Sequence, residues 1–157
     1  MTESVDYEKL VPVEEMTGED ENEGEQLKSM LKEAEAYLAS YSWCHSITRE
    51  FYGLGVAGVV AVFFFEIAGD PGVDSALWVV CGDLPSAYLV TDEAKSPCAA
   101  LEVYCGLMEE WITAVRGEGA IADVFPVDAE ASETNASSLE RRVAFLRNEV
   151  IPAFEGT

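Results

Sequence analysis

Three glycines have the spacing most suggestive of chemistry, because Gly53, Gly55 and Gly58 match the G-x-G-x-x-G pattern of dinucleotide-binding loops. That pattern binds a pyrophosphate only when a strand precedes it and a helix follows it, since the helix N-terminus then meets the phosphates. Here the residues that follow are β-branched and aromatic, which is typical of a strand. We therefore interpret the glycines as permitting a bulge or a tight bend at a strand start, and we expect no cofactor.

Cysteine and histidine are the next candidates for nucleophilic or metal chemistry. Cys44 and His45 are neighbours, but adjacent side chains of an extended segment point to opposite sides, so the imidazole would not reach the thiol. With four cysteines, one histidine and no C-x-x-C pair, the chain does not supply the usual zinc ligands. The cysteines lie within apolar patterns, so we expect buried free thiols rather than disulfides. They are Cys44, Cys81, Cys98 and Cys105.

Carboxylates at turns form the third group. Four aspartates lie at or near the ends of predicted strands, namely Asp70, Asp74, Asp83 and Asp92. Carboxylates gathered at one edge of a sheet can bind a hard cation, but this spacing does not fit the calcium loop of an EF-hand. We interpret these residues as solvated turn residues and predict no metal site.

The sequence contains neither G-x-S-x-G nor a Walker loop, so we assign no catalytic residue and favour a protein without enzymatic activity. The alternative is an enzyme that acts on a small molecule or uses a metal, with its pocket at the edge of a hairpin. The candidate binding residues there are Asp83, Tyr88, Asp92, Trp43 and His45. The competing interpretation places Trp43 at the edge of the core and makes His45 a hydrogen-bonded structural residue.

The strands expected from the sequence are few. Runs of apolar and β-branched residues predict strands over 56–67, 76–81 and 87–90, whereas residues 42–48 are expected to form a connector. Residues 70–72, Asp-Pro-Gly, are a strong turn signal. The first two strands are therefore predicted to form an antiparallel hairpin.

A first helix is expected to begin at Glu25, because apolar residues then recur three and four apart and form one stripe. The stripe consists of Leu27, Leu31, Ala34, Leu38 and Tyr41. This helix should pack on the sheet through that stripe.

Two more helices are expected in the second half of the chain. Ser96 can cap the first of them, Pro97 suits its first position, and Gly117 ends it. The other begins at a capping box over residues 137–140 and ends before Pro152. The order of elements predicts an α+β fold, in which about three helices cover a small antiparallel sheet of about three strands.

Residues 59–65 form an uninterrupted run of valine, alanine and phenylalanine. No polar residue alternates with them, so both faces of this strand must be covered, by helices or by a second copy of the chain. Each buried phenylalanine stabilises the fold by roughly 1.5–3 kcal/mol relative to an exposed one. Since three helices barely suffice for two faces, we predict a homodimer.

Thirty acidic residues against nine lysines and arginines give a net charge of −21. Such a field repels nucleic-acid phosphates and anionic lipid headgroups, so neither nucleic acid nor a membrane is expected as a partner. The longest uncharged stretch, residues 51–65, is shorter than the roughly 17–25 residues of a transmembrane helix. Residues 1–10 show no secretory or mitochondrial signal, so we expect a cytoplasmic protein.

The acidic residues are concentrated near the N-terminus. Residues 14–25 contain seven of them and almost no apolar side chain, so burial cannot offset the entropy of ordering them. We predict an acidic flexible segment over residues 1–25, followed by a single α+β domain over residues 26–157.

Residues 78–90, WVVCGDLPSAYLV, together with the predicted helix from Pro97 to Trp111, resemble small acidic bacterial proteins grouped as a domain of unknown function. The resemblance covers about residues 43–115. It implies a bacterial origin and an antiparallel sheet with helices, and it implies no assigned activity.

The leading hypothesis for function is a non-catalytic binding module whose anionic surface contacts a basic protein partner. In size and acidity the chain is similar to immunity proteins that neutralise toxins, so an immunity or inhibitor type is expected. Besides the enzyme described above, the other alternative is a structural or salt-adapted protein whose charge has no partner.

Overall fold

The computed structural model describes residues 5–117, 121–124, 126–127 and 129–155, and within them five strands form one antiparallel sheet in chain order. The strands are β1 (Val11–Pro12), β2 (Cys44–Val56), β3 (Val60–Gly69), β4 (Ala76–Gly82) and β5 (Ala87–Val90). The helices are α1 (Glu21–Ala39), α2 (Pro97–Val115), α3 (Glu133–Phe145) and α4 (Ile151–Phe154), the last two joined by a π-helical turn over Leu146–Val150. Short 3-10 turns lie at Tyr7–Lys9, Val13–Glu15 and Ile121–Asp123. The predicted α+β class is confirmed.

Helices cover both faces of the central strand β3. Val60, Val62 and Phe64 belong to the core formed with α2 and α3. Alternate side chains, those of Ala61, Phe63 and Phe65, belong to the core formed with α1. None of these six residues is more than 1% exposed, which confirms that this strand is buried on both of its faces. Because the chain's own helices provide this cover, the fold does not require a second copy, and the homodimer stays a prediction.

The prediction of about three strands was wrong, because the sheet has five. Residues 44–48, expected to be part of a connector, begin the long strand β2, and the predicted strand over 56–67 contains the turn that separates β2 from β3. The sequence of β2 does not show the alternation of apolar and polar residues that identifies a strand. Its pairing with β3 shifts register at three places, and each shift interrupts the two-residue period of the side chains. β1, with two residues, is too short to leave a pattern.

The three glycines of the G-x-G-x-x-G match have structural roles. Gly53 lies in β2 where the register shifts, and an added Cβ would come within 2.8 Å of the Pro97 ring. Gly58 lies in the turn between β2 and β3 with a φ of +78°, a conformation that glycine adopts without strain. The interpretation as bulge and bend residues is supported, although they lie at the end of a strand rather than at its start.

Helix α2 follows its predicted caps closely, whereas the start of α1 was predicted four residues too late. The Ser96 side chain accepts a hydrogen bond from the Ala99 N–H at the start of α2, and Gly117, with a φ of +86°, follows its end. Helix α1 begins at Glu21, four residues before the predicted start, because Asp20 caps it by accepting from the Glu23 N–H.

Helix α3 begins earlier than predicted. Ser132 caps it by accepting from the Asn135 N–H, whereas Ser137 instead donates to Glu133 and contacts Arg116. The helical path also continues through Pro152, because the π-helical turn before it precedes a new helical turn. Both predicted ends of this helix were therefore wrong by several residues.

Residues 5–16 cross the edge of the sheet at β2. Val5 and Leu10 are buried on the α2 side of the sheet, and Met16 is buried on the α1 side. Tyr7 packs its ring 5.5 Å from that of Phe64 and donates a 2.6 Å hydrogen bond from its hydroxyl to Glu66. Flexibility of residues 1–25 stays a prediction, and residues 1–4 lie outside the described residues.

Candidate functional site

Four aromatic side chains, Tyr37, Tyr41, Trp43 and Tyr88, meet at one end of the sheet and are called here the aromatic cluster. Tyr41 stacks on Trp43 with ring centroids 5.0 Å apart, and Trp43 packs edge-on against Tyr88 at 5.3 Å. Tyr37 packs edge-on against Tyr41 at 5.4 Å, and the Tyr41 hydroxyl donates to the Tyr37 hydroxyl. All four side chains are half-buried, so one side of the cluster meets solvent.

The architecture explains why these rings gather. Helix α1 packs against β2, β3 and β4. Tyr88 projects from β5 onto the same face and meets the residues that connect α1 to β2. Burial raises the pKa of Tyr37 and of Tyr88, so both hydroxyls are neutral at physiological pH. The cluster is therefore a partly accessible aromatic surface.

Three aspartates lie at the same end of the sheet as the aromatic cluster. Asp70 follows β3, Asp74 precedes β4, and Asp92 follows β5, and strand pairing brings these three strand ends together. The Asp70 N–H donates to the Trp43 carbonyl at 3.0 Å, which ties this turn to the aromatic cluster. The Asp70 carboxylate also lies 2.6 Å from Nε2 of His45. Asp70 therefore adjoins the aromatic cluster, and Asp74 and Asp92 lie at the same end of the sheet.

The structure brings together some of the sequence-predicted site residues and separates others. Trp43 and Tyr88 are in ring contact, and His45 and Asp92 lie at the same end of the sheet. Asp83 lies at the opposite end of the β4–β5 hairpin, roughly 20 Å away at about 3.3 Å per residue. A pocket lined by Asp83 and Asp92 together is therefore not formed.

Sequence reasoning missed Tyr37 as a site residue and assigned Tyr41 to the buried stripe of the first helix. The sequence does contain a signal for Tyr37 and Tyr41. They are four residues apart, and this spacing places both tyrosines on one side of the end of the helix. Their association with Tyr88 depends on how α1 crosses the sheet.

Most of the arginines form ion pairs within the chain, and Asp83 belongs to one of these pairs. Its carboxylate lies 3.2 Å from Nη2 of Arg142. Arg49 pairs with Glu66, and Arg147 pairs with Glu109. Arg116 contacts both Glu133 and Glu140. Four of the five arginines thus neutralise the chain's own carboxylates, which leaves the excess negative charge elsewhere on the surface.

Three carboxyl groups meet where β2, α1 and the N-terminal residues adjoin. Glu50 of β2 is half-buried, and its carboxyl group is hydrogen-bonded to that of Glu35 of α1, with Glu14 nearby. Burial, followed by this hydrogen bond and by repulsion from Glu35 and Glu14, raises the pKa of Glu50 to about 8. Glu50 therefore carries a proton at neutral pH.

Stability should consequently decrease as the pH rises. The folded state binds this proton more tightly than the unfolded chain, so the stabilisation is complete below about pH 4.5 and is lost as the pH rises through about 8. We expect the melting temperature of the wild type to fall between about pH 5 and 9, and Glu50→Gln to be the more stable protein at about pH 9.

The matched control is Glu110→Gln, which removes the same charge from an exposed position on α2. Thermal unfolding monitored by circular dichroism should give this control the wild-type slope with pH. If Glu50→Gln kept that slope as well, Glu50 would not be the group responsible.

The thiols and cavities offer little for catalysis. No disulfide forms, and Cys44, Cys81 and Cys105 are buried, whereas Cys98 is half-buried. Burial raises the pKa of all four thiols, to about 11 for Cys105 and about 12 for Cys81, so they are not thiolate nucleophiles at neutral pH. Cys98 lines a cavity of about 290 Å³ that lies between Lys9, Pro97 and Phe154. Within the described residues, histidine, cysteine, aspartate and glutamate side chains form no group of three or more that could hold a metal ion.

In the part of the chain that the structure describes, no helix combines the length and the apolar character needed to cross a membrane. Comparison of the chain with protein-family models, with curated proteins and with solved structures finds no match.

Proposed function

We propose that the chain is a non-catalytic binding module that contacts a basic protein partner, in the manner of an immunity or inhibitor protein of the cytoplasm. The observation that carries the proposal is the aromatic cluster, half-buried at the end of the sheet where Asp70, Asp74 and Asp92 also lie, in a chain of net charge −21. The partner's surface is positively charged, with apolar or cationic side chains at its centre.

The chemistry of the aromatic cluster suits this role. Tryptophan and tyrosine combine a large apolar area with few rotatable bonds, and they are enriched among the residues that dominate binding energy at interfaces. The surrounding carboxylates would steer a basic partner towards the cluster and reject an acidic one. Because four of the five arginines are engaged in ion pairs within the chain, little positive charge opposes that attraction.

The two alternatives are less well supported. The enzyme alternative needs Asp83 and Asp92 in one pocket, and these residues lie at opposite ends of a hairpin. The structural or salt-adapted alternative gives no reason for four aromatic side chains to gather at a partly exposed position. The experiment below separates it from the proposal, because a salt-adapted protein would capture no partner.

The test is capture of a partner followed by measurement with purified components. The immobilised full chain is exposed to host extract at about 50 mM salt, and a captured protein is purified and titrated calorimetrically at several salt concentrations. We expect a protein of net positive charge whose Kd weakens by at least about tenfold between 50 and 300 mM salt.

Trp43→Ala should weaken the same complex by at least about tenfold, because it removes the largest ring of the aromatic cluster. Phe145→Ala is the matched control, since Phe145 is an exposed aromatic residue on α3 and is not part of the cluster. Capture of no basic protein, or a Kd that does not change with salt, would contradict the proposal.

A further inference from the structure

The protein already contains one arginine held between an aromatic ring and a carboxylate. The guanidinium carbon of Arg49 lies 4.8 Å from the centre of the Phe51 ring, and Nη1 lies 3.3 Å from Oε1 of Glu66. A guanidinium suits this arrangement because its flat face stacks on the ring while its edge pairs with the carboxylate.

A carboxylate and an aromatic residue are also linked at the aromatic cluster, where the carboxylate contacts an imidazole instead of a guanidinium. Asp70 is joined to Trp43 by a backbone hydrogen bond of 3.0 Å, and its carboxylate is paired with Nε2 of His45 at 2.6 Å. The side chains of His45 and Asp70 are 57% and 53% exposed. An exposed pair of this kind contributes little to stability, so replacing the imidazole with another partner of Asp70 costs little.

We propose that an arginine of the basic partner displaces His45 from Asp70 and packs against Trp43. This inference rests on the proposed function and specifies the chemistry of its central contact. Arginine fits better than lysine, because its planar fork can pair with both oxygens of the carboxylate and its face can stack on indole, the most favourable ring for a cation. His45 holds the position while the partner is absent.

The test uses two peptides of equal charge, a decamer of arginine and a decamer of lysine, titrated into the full chain at about 50 mM salt. The arginine peptide should bind at least about fivefold more tightly. Binding should also change the fluorescence of Trp43, since Trp78 and Trp111 are almost completely buried.

Variants locate the contact. Asp70→Asn should weaken binding of the arginine peptide by about tenfold and should abolish most of its advantage over lysine. His45→Ala should strengthen binding by about twofold or more, because the imidazole no longer competes for the Asp70 carboxylate. Glu110→Gln is the matched control, because it removes one negative charge from an exposed position on α2, on the opposite face of the sheet from the aromatic cluster, and it should change binding by less than about twofold.

The outcomes separate this inference from the proposed function. If both peptides bind equally and Asp70→Asn behaves like Glu110→Gln, the arginine contact is overturned, while a basic partner remains supported by the salt-dependent binding. If neither peptide binds at low salt and no basic protein is captured, the proposed function fails and this inference fails with it.

Discussion

Replacing Phe64 with alanine is expected to lower the free energy of unfolding by about 3–5 kcal/mol. Phe64 is 1% exposed, and its ring lies 4.9 Å from that of Trp78 and 6.1 Å from that of Phe51. Alanine would remove these contacts and leave a cavity in the core between the sheet and α2. Since the total stability of a domain is about 5–15 kcal/mol, the variant should be close to unfolding at room temperature.

Chemical denaturation followed by circular dichroism measures this difference. Phe145→Ala is the matched control, because the same change at a residue 44% exposed should alter stability by less than about 0.5 kcal/mol. If the two variants unfolded at the same denaturant concentration, Phe64 would not be a core residue and the two-sided burial of β3 would be wrong.

Replacing Gly82 with alanine is expected to destabilise the protein by about 2–3 kcal/mol. Gly82 has a φ of +138°, and an added Cβ would lie 2.4 Å from the carbonyl oxygen of Val59. That oxygen accepts a 2.9 Å hydrogen bond from the Asp83 N–H, so the clash cannot be relieved without disturbing the contact between the end of β4 and the β2–β3 turn.

Two other glycines separate the cost of the positive φ from the cost of the steric clash. At Gly72 the φ is +90° but an added Cβ would meet nothing within 4 Å, so Gly72→Ala should cost only about 1 kcal/mol. At Gly106, inside α2, a Cβ would also meet open space and the backbone is helical, so alanine should stabilise by about 0.5–1 kcal/mol. Equal melting temperatures for Gly82→Ala and Gly106→Ala would contradict the clash.

The sequence by itself determined the features that depend on neighbouring residues. A capping serine and proline mark the helix start at Ser96 and Pro97, and a turn tripeptide marks the turn at residues 70–72. An uninterrupted apolar run marks the strand around Phe64 that is buried on both faces. Each signal lies within one segment, so no knowledge of the rest of the fold was needed to recognise it.

Only the tertiary structure decided the length of β2 and the composition of the aromatic cluster. The irregular pairing of β2 with β3 removed the alternation that identifies a strand, and Tyr88 meets Tyr37 and Trp43 only because α1 crosses the same face of the sheet. Asp83 and Asp92 have similar positions in the sequence, each just after a strand. Antiparallel pairing places them at opposite ends, because consecutive strands of a hairpin run in opposite directions.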